Sequence, residues 1–211
     1  MIRLLDITPM TVVVALSLTS MAAAGSGNVV FLEQGDGTSA GNELFIDQSD
    51  ATNSLVAGAP DGLSPASQYG TYNSGEIILE GEGATIYFSQ NNDLTGSPLG
   101  NSATIFGGEL ASIVLSQTGS RNTGEISVTG INNSAGLLQT GNGNDGNVDV
   151  SGSNNSGTLV QTGNQNSFSL SVAGDSTNVT YTQIGNGLSA VNGAGPTVIS
   201  NGGTVLIKQT R

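Results

Sequence analysis

The side chains most often used for catalysis are scarce in this chain. Its 211 residues include no Cys and no His. It therefore offers no thiol nucleophile, disulfide, zinc site or His-based triad. Three groupings invite a chemical reading. Asp145 and Asp149 carry the oxygens that calcium prefers, but the G-G-x-G-x-D nonapeptide of calcium-binding β-rolls is missing. Glu80 and Glu82 are a carboxylate pair of the kind glycosidases use, yet nothing in the sequence places a pocket around them. Gly185-Asn186-Gly187 does not open a helix after a strand, so no phosphate loop follows. The expectation is a protein that is not an enzyme, with no catalytic residue, cofactor or metal.

The chemistry that remains is that of amides. Gln117, Gln139, Gln161 and Gln183 are spaced by 22 residues. Midway between them lie Val128, Val150 and Val172. Two residues after each of these positions is a glycine: Gly119, Gly130, Gly141, Gly152, Gly163, Gly174 and Gly185. Three further on come Asn122, Asn133, Asn144, Asn155 and Asn166, before the series decays. Two residues before each Gln or Val is an apolar side chain: Leu115, Ile126, Leu137, Val148, Leu159, Leu170 and Tyr181. The half-repeat is Φ-x-[Q/V]-x-G-x-x-N, 11 residues long, with Φ apolar. It extends weakly upstream through Gln68 and Gln90, with Phe106 and Gly108 in register before Gln117. Leu32-Glu33-Gln34 and Ile46-Asp47-Gln48 read as degenerate Gln halves, with Asp36 and Asp50 in the glycine column. The segment from Ala51 to Pro65 takes no register. Insertions fall around Thr95–Gly100 and Asn192–Pro196, after which Val198 and Gln209 continue the alternation.

Such spacing requires strands to position the amides. Apolar and polar residues alternate with the strand period, so Leu115 and Gln117 share one face while Val114 and Ser116 share the other. Glycine reaches φ > 0, and Asn tolerates the left-handed region, so each half-repeat is a strand followed by a tight turn. Helix is excluded, because Gly and Asn at fixed columns would break it twice per repeat. The expected fold is all-β: a β-solenoid of stacked 22-residue strand-turn-strand coils, about 4.8 Å apart. Gln68, Gln90, Gln117, Gln139, Gln161 and Gln183 would form an inward amide ladder, and the Asn column a second one. Buried amides are costly unless paired, and stacked identical amides pair with one another. Leu115, Ile126, Val128, Leu137, Val148, Val150, Leu159, Leu170, Val172 and Tyr181 would stack as a dry stripe.

Composition agrees with this reading. Gly is 32 and Asn 21 of the 211 residues, while aromatics make up only 4%, so a conventional globular core is not expected. Sixteen acids against four bases give a net charge of −12 and leave no basic footprint for nucleic acid. Arg3, the apolar run from Thr11 to Leu18 and the A-x-A at Ala22–Ala24 read as a signal peptide over 1–24. The run is too short to span a bilayer, which takes about 20 residues. The expected organisation is then a degenerate acidic segment over 25–65, weak repeats with an insertion over 66–111, regular repeats over 112–188, and an insertion with a final strand over 189–211.

Gln139-Thr140-Gly141-Asn142-Gly143-Asn144 and Gln161-Thr162-Gly163-Asn164-Gln165-Asn166 resemble the Q-x-G-x2-N core of the curlin family, subunits of curli fibres on bacterial surfaces. Gln117 to Asn122 and Gln68 to Asn73 resemble it too. The family's second Gln is replaced here by Val128, Val150 and Val172. The resemblance is clear over 106–188 and weaker over 68–95. It implies a secreted functional amyloid serving adhesion and biofilm matrix, a homopolymer of itself or a related curlin, and outer-membrane export and nucleation accessories. The alternative is a monomeric solenoid adhesin or ice-binding protein working through a lateral face.

Overall fold

The computed structural model describes residues 26–34, 41–59, 63–92, 99–189 and 197–211. The signal-peptide segment, Asp36, Thr95 and the insertion at Asn192–Pro196 lie outside these. Every described element is a strand. In chain order they are β1 (Val29–Val30), β2 (Leu32–Gln34), β3 (Glu43–Thr52), β4 (Leu55–Ala57), β5 (Ala66–Tyr69), β6 (Ser74–Glu82), β7 (Thr85–Asn91) and β8 (Ser102–Gly107). They continue as β9 (Ser112–Thr118), β10 (Thr123–Val128), β11 (Ser134–Thr140), β12 (Asp145–Ser153), β13 (Ser156–Thr162), β14 (Ser167–Ile184) and β15 (Thr197–Thr210).

All belong to one parallel sheet that curls back on itself. One wall runs β4-β7-β9-β11-β13 and the other β12-β10-β8-β6-β3, and β14 joins them at one end by belonging to both. From β5 to β14 successive strands of the chain lie on opposite walls, because each tight turn carries the chain across the lumen. Pairing follows like with like: Gln117 lies beside Gln139, Gln139 beside Gln161, and Gln161 beside Gln183. On the facing wall Ile126 pairs Val148 and Val148 pairs Leu170. The architecture is thus all-β and solenoid-like.

The core is the thin space between the walls. Leu115, Leu137 and Leu159 from one wall meet Ile126, Val148 and Leu170 from the other, and all six are buried. Each strand of a wall turns one face to this core and the other to solvent, which is why burial alternates residue by residue.

The structure corrects the sequence register in the upstream half. Ile46 pairs Ile77, so Ile46-Asp47-Gln48 belongs to the aliphatic wall and is not a Gln half. Asp50 pairs Glu80, and Ala51 takes the place beside Gly81 in the glycine column. Phe106 pairs Ser127 and faces outward, while Gly107 holds the inward place beside Val128. The cause is a short corner: Gly107 to Ile113 spans 6 steps where Val128 to Ala135 spans 7. The segment without register, 51–65, contains a loop set inside a strand. Ala57 sits beside Tyr87 and Ser67 beside Ser89, so the chain leaves the wall after Ala57 and rejoins it at Ala66. Gly58 N–H donates to Ser64 O at 2.7 Å and closes the neck of that loop.

Candidate functional site

The feature with chemical content is the buried amide column. Gln68, Gln90, Gln117, Gln139, Gln161 and Gln183 are each at most 1% exposed. Each donates from Nε2 to the Oε1 of the next: Gln68 to Gln90, Gln90 to Gln117 and Gln117 to Gln139 at 2.8 Å. Gln139 to Gln161 and Gln161 to Gln183 follow at 2.9 Å, and Gln183 to Gln209 at 3.0 Å. The second amide hydrogen crosses the lumen to a backbone carbonyl of the facing wall. Gln117 reaches Ser102 O at 3.0 Å, Gln139 reaches Thr123 O and Gln161 reaches Asp145 O, both at 2.9 Å. Both donor hydrogens and the carbonyl oxygen are thereby used, which removes the cost of burying an amide. The donors all point toward higher residue numbers, so the amide dipoles align.

Glycines in the facing wall leave the lumen open beside Gln117 and Gln139, while Ala103 takes the same column one rung earlier. A Cβ at Gly146 would lie 2.7 Å from Leu137 Cδ1 and 3.0 Å from Gln139 Nε2. Gly124 meets the same limits, with Gln117 Nε2 at 3.0 Å. The sequence reading missed these inward glycines, although their fixed place two residues before Ile126 and Val148 was a signal. At the far end Phe168 takes this column and stacks on Tyr181, with centroids 3.6 Å apart and planes at 16°. Tyr181 donates its hydroxyl to Gln209 Oε1 at 3.0 Å, and burial raises its hydroxyl above the ordinary value.

The Asn residues form two series, one at each corner, because half-repeats alternate between walls. At the first corner Asn122 Oδ1 accepts the N–H of Asn144 at 3.0 Å, and Asn144 Oδ1 accepts that of Asn166 at 3.1 Å. The Nδ2 groups of Asn122, Asn144 and Asn166 donate to Gly141 O, Gly163 O and Gly185 O, each at 2.9 Å. At the second corner Asn133 Oδ1 accepts from Asn155 N–H at 2.8 Å and Asn155 Oδ1 from Thr177 N–H at 2.9 Å. Asn therefore acts by clipping the next turn through its side chain. The left-handed residue is the one just before it: Arg121, Asn132, Asn154, Gln165 and Ser176 have φ of 56–59°.

Gly119, Gly130, Gly141, Gly152, Gly163, Gly174 and Gly185 all have positive φ. Space forbids a side chain as firmly as conformation does. A Cβ on Gly141 would be 1.9 Å from Gly163 O, and one on Gly163 1.9 Å from Gly185 O. Val128, Val150 and Val172 are fully buried, and Gly157 opposite them leaves room, since its Cβ would meet Val150 Cγ2 at 2.8 Å.

Two edges close the stack. Among the described residues β15 pairs only β14. At the opposite end β1 pairs β4, β2 pairs β5 and β3 pairs β6, each along one side only among those residues. Gln48 Nε2, in β3 at that end, is the one buried side-chain nitrogen or oxygen without a partner among the described residues. Burial, and then the hydrogen bond to Glu33 and its charge, raise the Tyr69 hydroxyl at the same end.

The carboxylates considered for chemistry stand on the outer surface. Asp145 and Asp149 face outward from β12, and Glu80 and Glu82 flank Gly81 at a corner. Glu80 and Glu109 border an open hollow of about 310 Å³ that also includes Phe106 and Thr129. It sits beside the short corner that follows β8. Among the described residues no helix is long and apolar enough to cross a membrane. No known protein family, curated protein or solved structure matches the chain.

Proposed function

We propose that this chain is a secreted fibre subunit of the curlin type, which polymerises by templated cross-β stacking and serves cell adhesion and biofilm matrix. In this reading it is a β-solenoid of 22-residue coils, each made of two 11-residue strand-turn halves. The observation that carries it is the amide ladder. It runs from Gln68 to Gln209 and ends on β15, which among the described residues is paired along one side only. A strand edge with free N–H and C=O groups is a template for another chain. A ladder that reaches it unbroken leaves a donor in line for the next copy. Each junction supplies on the order of ten backbone hydrogen bonds, at a net ~0.5–1.5 kcal/mol each before ordering entropy. Growth at an existing edge should therefore far outpace nucleation.

A second reading, a monomeric solenoid that binds through a lateral face, draws on the outer face of the Gln wall. From β7 to β13 that face presents residues such as Tyr87, Val114, Leu138, Thr158 and Val160, and no charge. Seeded assembly separates the two. In thioflavin fluorescence of the purified chain, preformed fragments are expected to abolish the lag phase. A chain that stays monomeric for days, seeded or not, contradicts the fibre reading and leaves the lateral face.

A further inference from the structure

The two edges of the sheet differ in charge. Among the described residues of the first rungs, 26–34 and 41–59, there are four acids, Glu33, Glu43, Asp47 and Asp50, and no base. The last rung, 197–211, carries Lys208 and Arg211 and no acid. Lys208 is the chain's only lysine.

Strand register relates these charges further. Glu33 sits beside Ser67, Ser67 beside Ser89, and Ser89 beside Ser116. Ser116 sits beside Leu138, Leu138 beside Val160, Val160 beside Thr182, and Thr182 beside Lys208. A single outward column thus begins with a carboxylate, ends with an ammonium, and is uncharged between them. The neighbouring inward column likewise links the backbone of Gln34, beside Gln68, to Gln209, beside Gln183.

We propose that copies of the chain stack head to tail in unbroken register. β15 of one copy pairs with β1 and β2 of the next, and Lys208 lies one strand spacing, about 4.8 Å, from Glu33 of that copy. This rests on the fibre reading above and adds the partner edge, the register and the charge pair that selects them. Joining two first edges sets carboxylates against carboxylates, and joining two last edges sets Lys208 against Lys208. Either reversal also opposes the aligned amide dipoles, because every ladder bond donates toward higher numbers.

The absence of native Cys makes the test clean. Chains carrying Glu33→Cys and Lys208→Cys are grown together into fibres and oxidised. Neighbouring strands hold Cα atoms at about 4.8 Å, inside the ~4.4–6.8 Å range of disulfides. The expected result is a covalent dimer of one variant with the other, and few links in fibres of either variant alone. Lys208→Glu should slow seeded growth about two- to fivefold, the range of one exposed ion pair, and adding Glu33→Lys should restore it. That charge swap reads the same junction if the Glu33→Cys chain fails to fold. Fibres that grow but link Lys208→Cys to itself, or link nowhere, overturn the junction while the fibre reading stands. So does a Lys208→Glu chain that grows at the native rate. An unsubstituted chain that cannot be seeded overturns both.

Discussion

Gln139 concentrates the account at the scale of one side chain. It accepts from Gln117, donates to Gln161 and donates again to Thr123 O. Replacing it with Leu strands a donor on Gln117 and an acceptor on Gln161, both buried. At ~1–3 kcal/mol for each orphaned group, Gln139→Leu should destabilise the fold by about 2–5 kcal/mol in urea unfolding. Ser116→Ala, on the outer face, should stay within about 0.5 kcal/mol. Equal losses would mean that the interior amides are not mutually satisfied. Two glycines of one turn make a sharper pair. Gly141 has φ 117° and no room for a Cβ, whereas Gly143 has φ 67° and nothing nearer than Gln165 Cγ at 3.7 Å. Gly143→Asn should be nearly neutral in thermal melts, since Arg121 and Gln165 already occupy the same turn position. Gly141→Ala should cost ~3 kcal/mol or more, because backbone of the next turn must move.

At the scale of strands and turns, the sequence was legible wherever the count was regular. Gln, Val and the apolar column declare their faces through period 2, and the turns between them have constant length. Legibility failed where one turn is a residue short, before β9, and where a loop opens inside the wall between β4 and β5. The short turn leaves no compositional mark, and the Gly- and Pro-rich run at 58–65 marks a loop without showing that the wall resumes after it, so pairing is what reveals both. Spacing alone consequently puts Phe106 and Gln48 on the wrong column. It also merges the Asn residues into one ladder, because their 11-residue spacing conceals the alternation of corners. The last rung has a chemistry of its own, which gives a pH prediction. Burial raises Tyr181 above its ordinary 10.0, so the folded chain retains a proton that the unfolded chain releases. Its stabilisation is complete below about pH 10 and is lost as pH rises through the higher folded value. Titration of tyrosinate absorbance should place Tyr69 and Tyr181 above the model-peptide value, and Tyr181→Phe should remove the Tyr181 share while keeping the ring stack on Phe168. A Tyr181→Phe chain with an unaltered titration would contradict the packing described at this end.

Across the whole molecule, charge governs when association begins. A net charge of −12 makes copies repel, and none of the described acids is buried, so salt reaches them. Raising ionic strength from low salt to about 0.15 M shortens the Debye length to ~8 Å and should shorten the lag of assembly. Acidification toward the pI near 4.1 should act in the same direction. Asp47 at the first edge will resist it, because the N–H and then the hydroxyl of Ser49 hold its carboxyl below the usual 3.8. The stabilisation from that bond is present above the ordinary value and disappears only as pH falls through the depressed one. A lag that lengthens with salt would mean that attraction between unlike charges, and not self-repulsion, sets the rate. All of these expectations depend on rungs stacking in vertical register from one molecule into the next. Diffraction from aligned fibres tests that directly. Rungs stacked in this way give a sharp meridional reflection at about 4.7–4.8 Å. Fibres without that reflection, or with it only off the fibre axis, would contradict it.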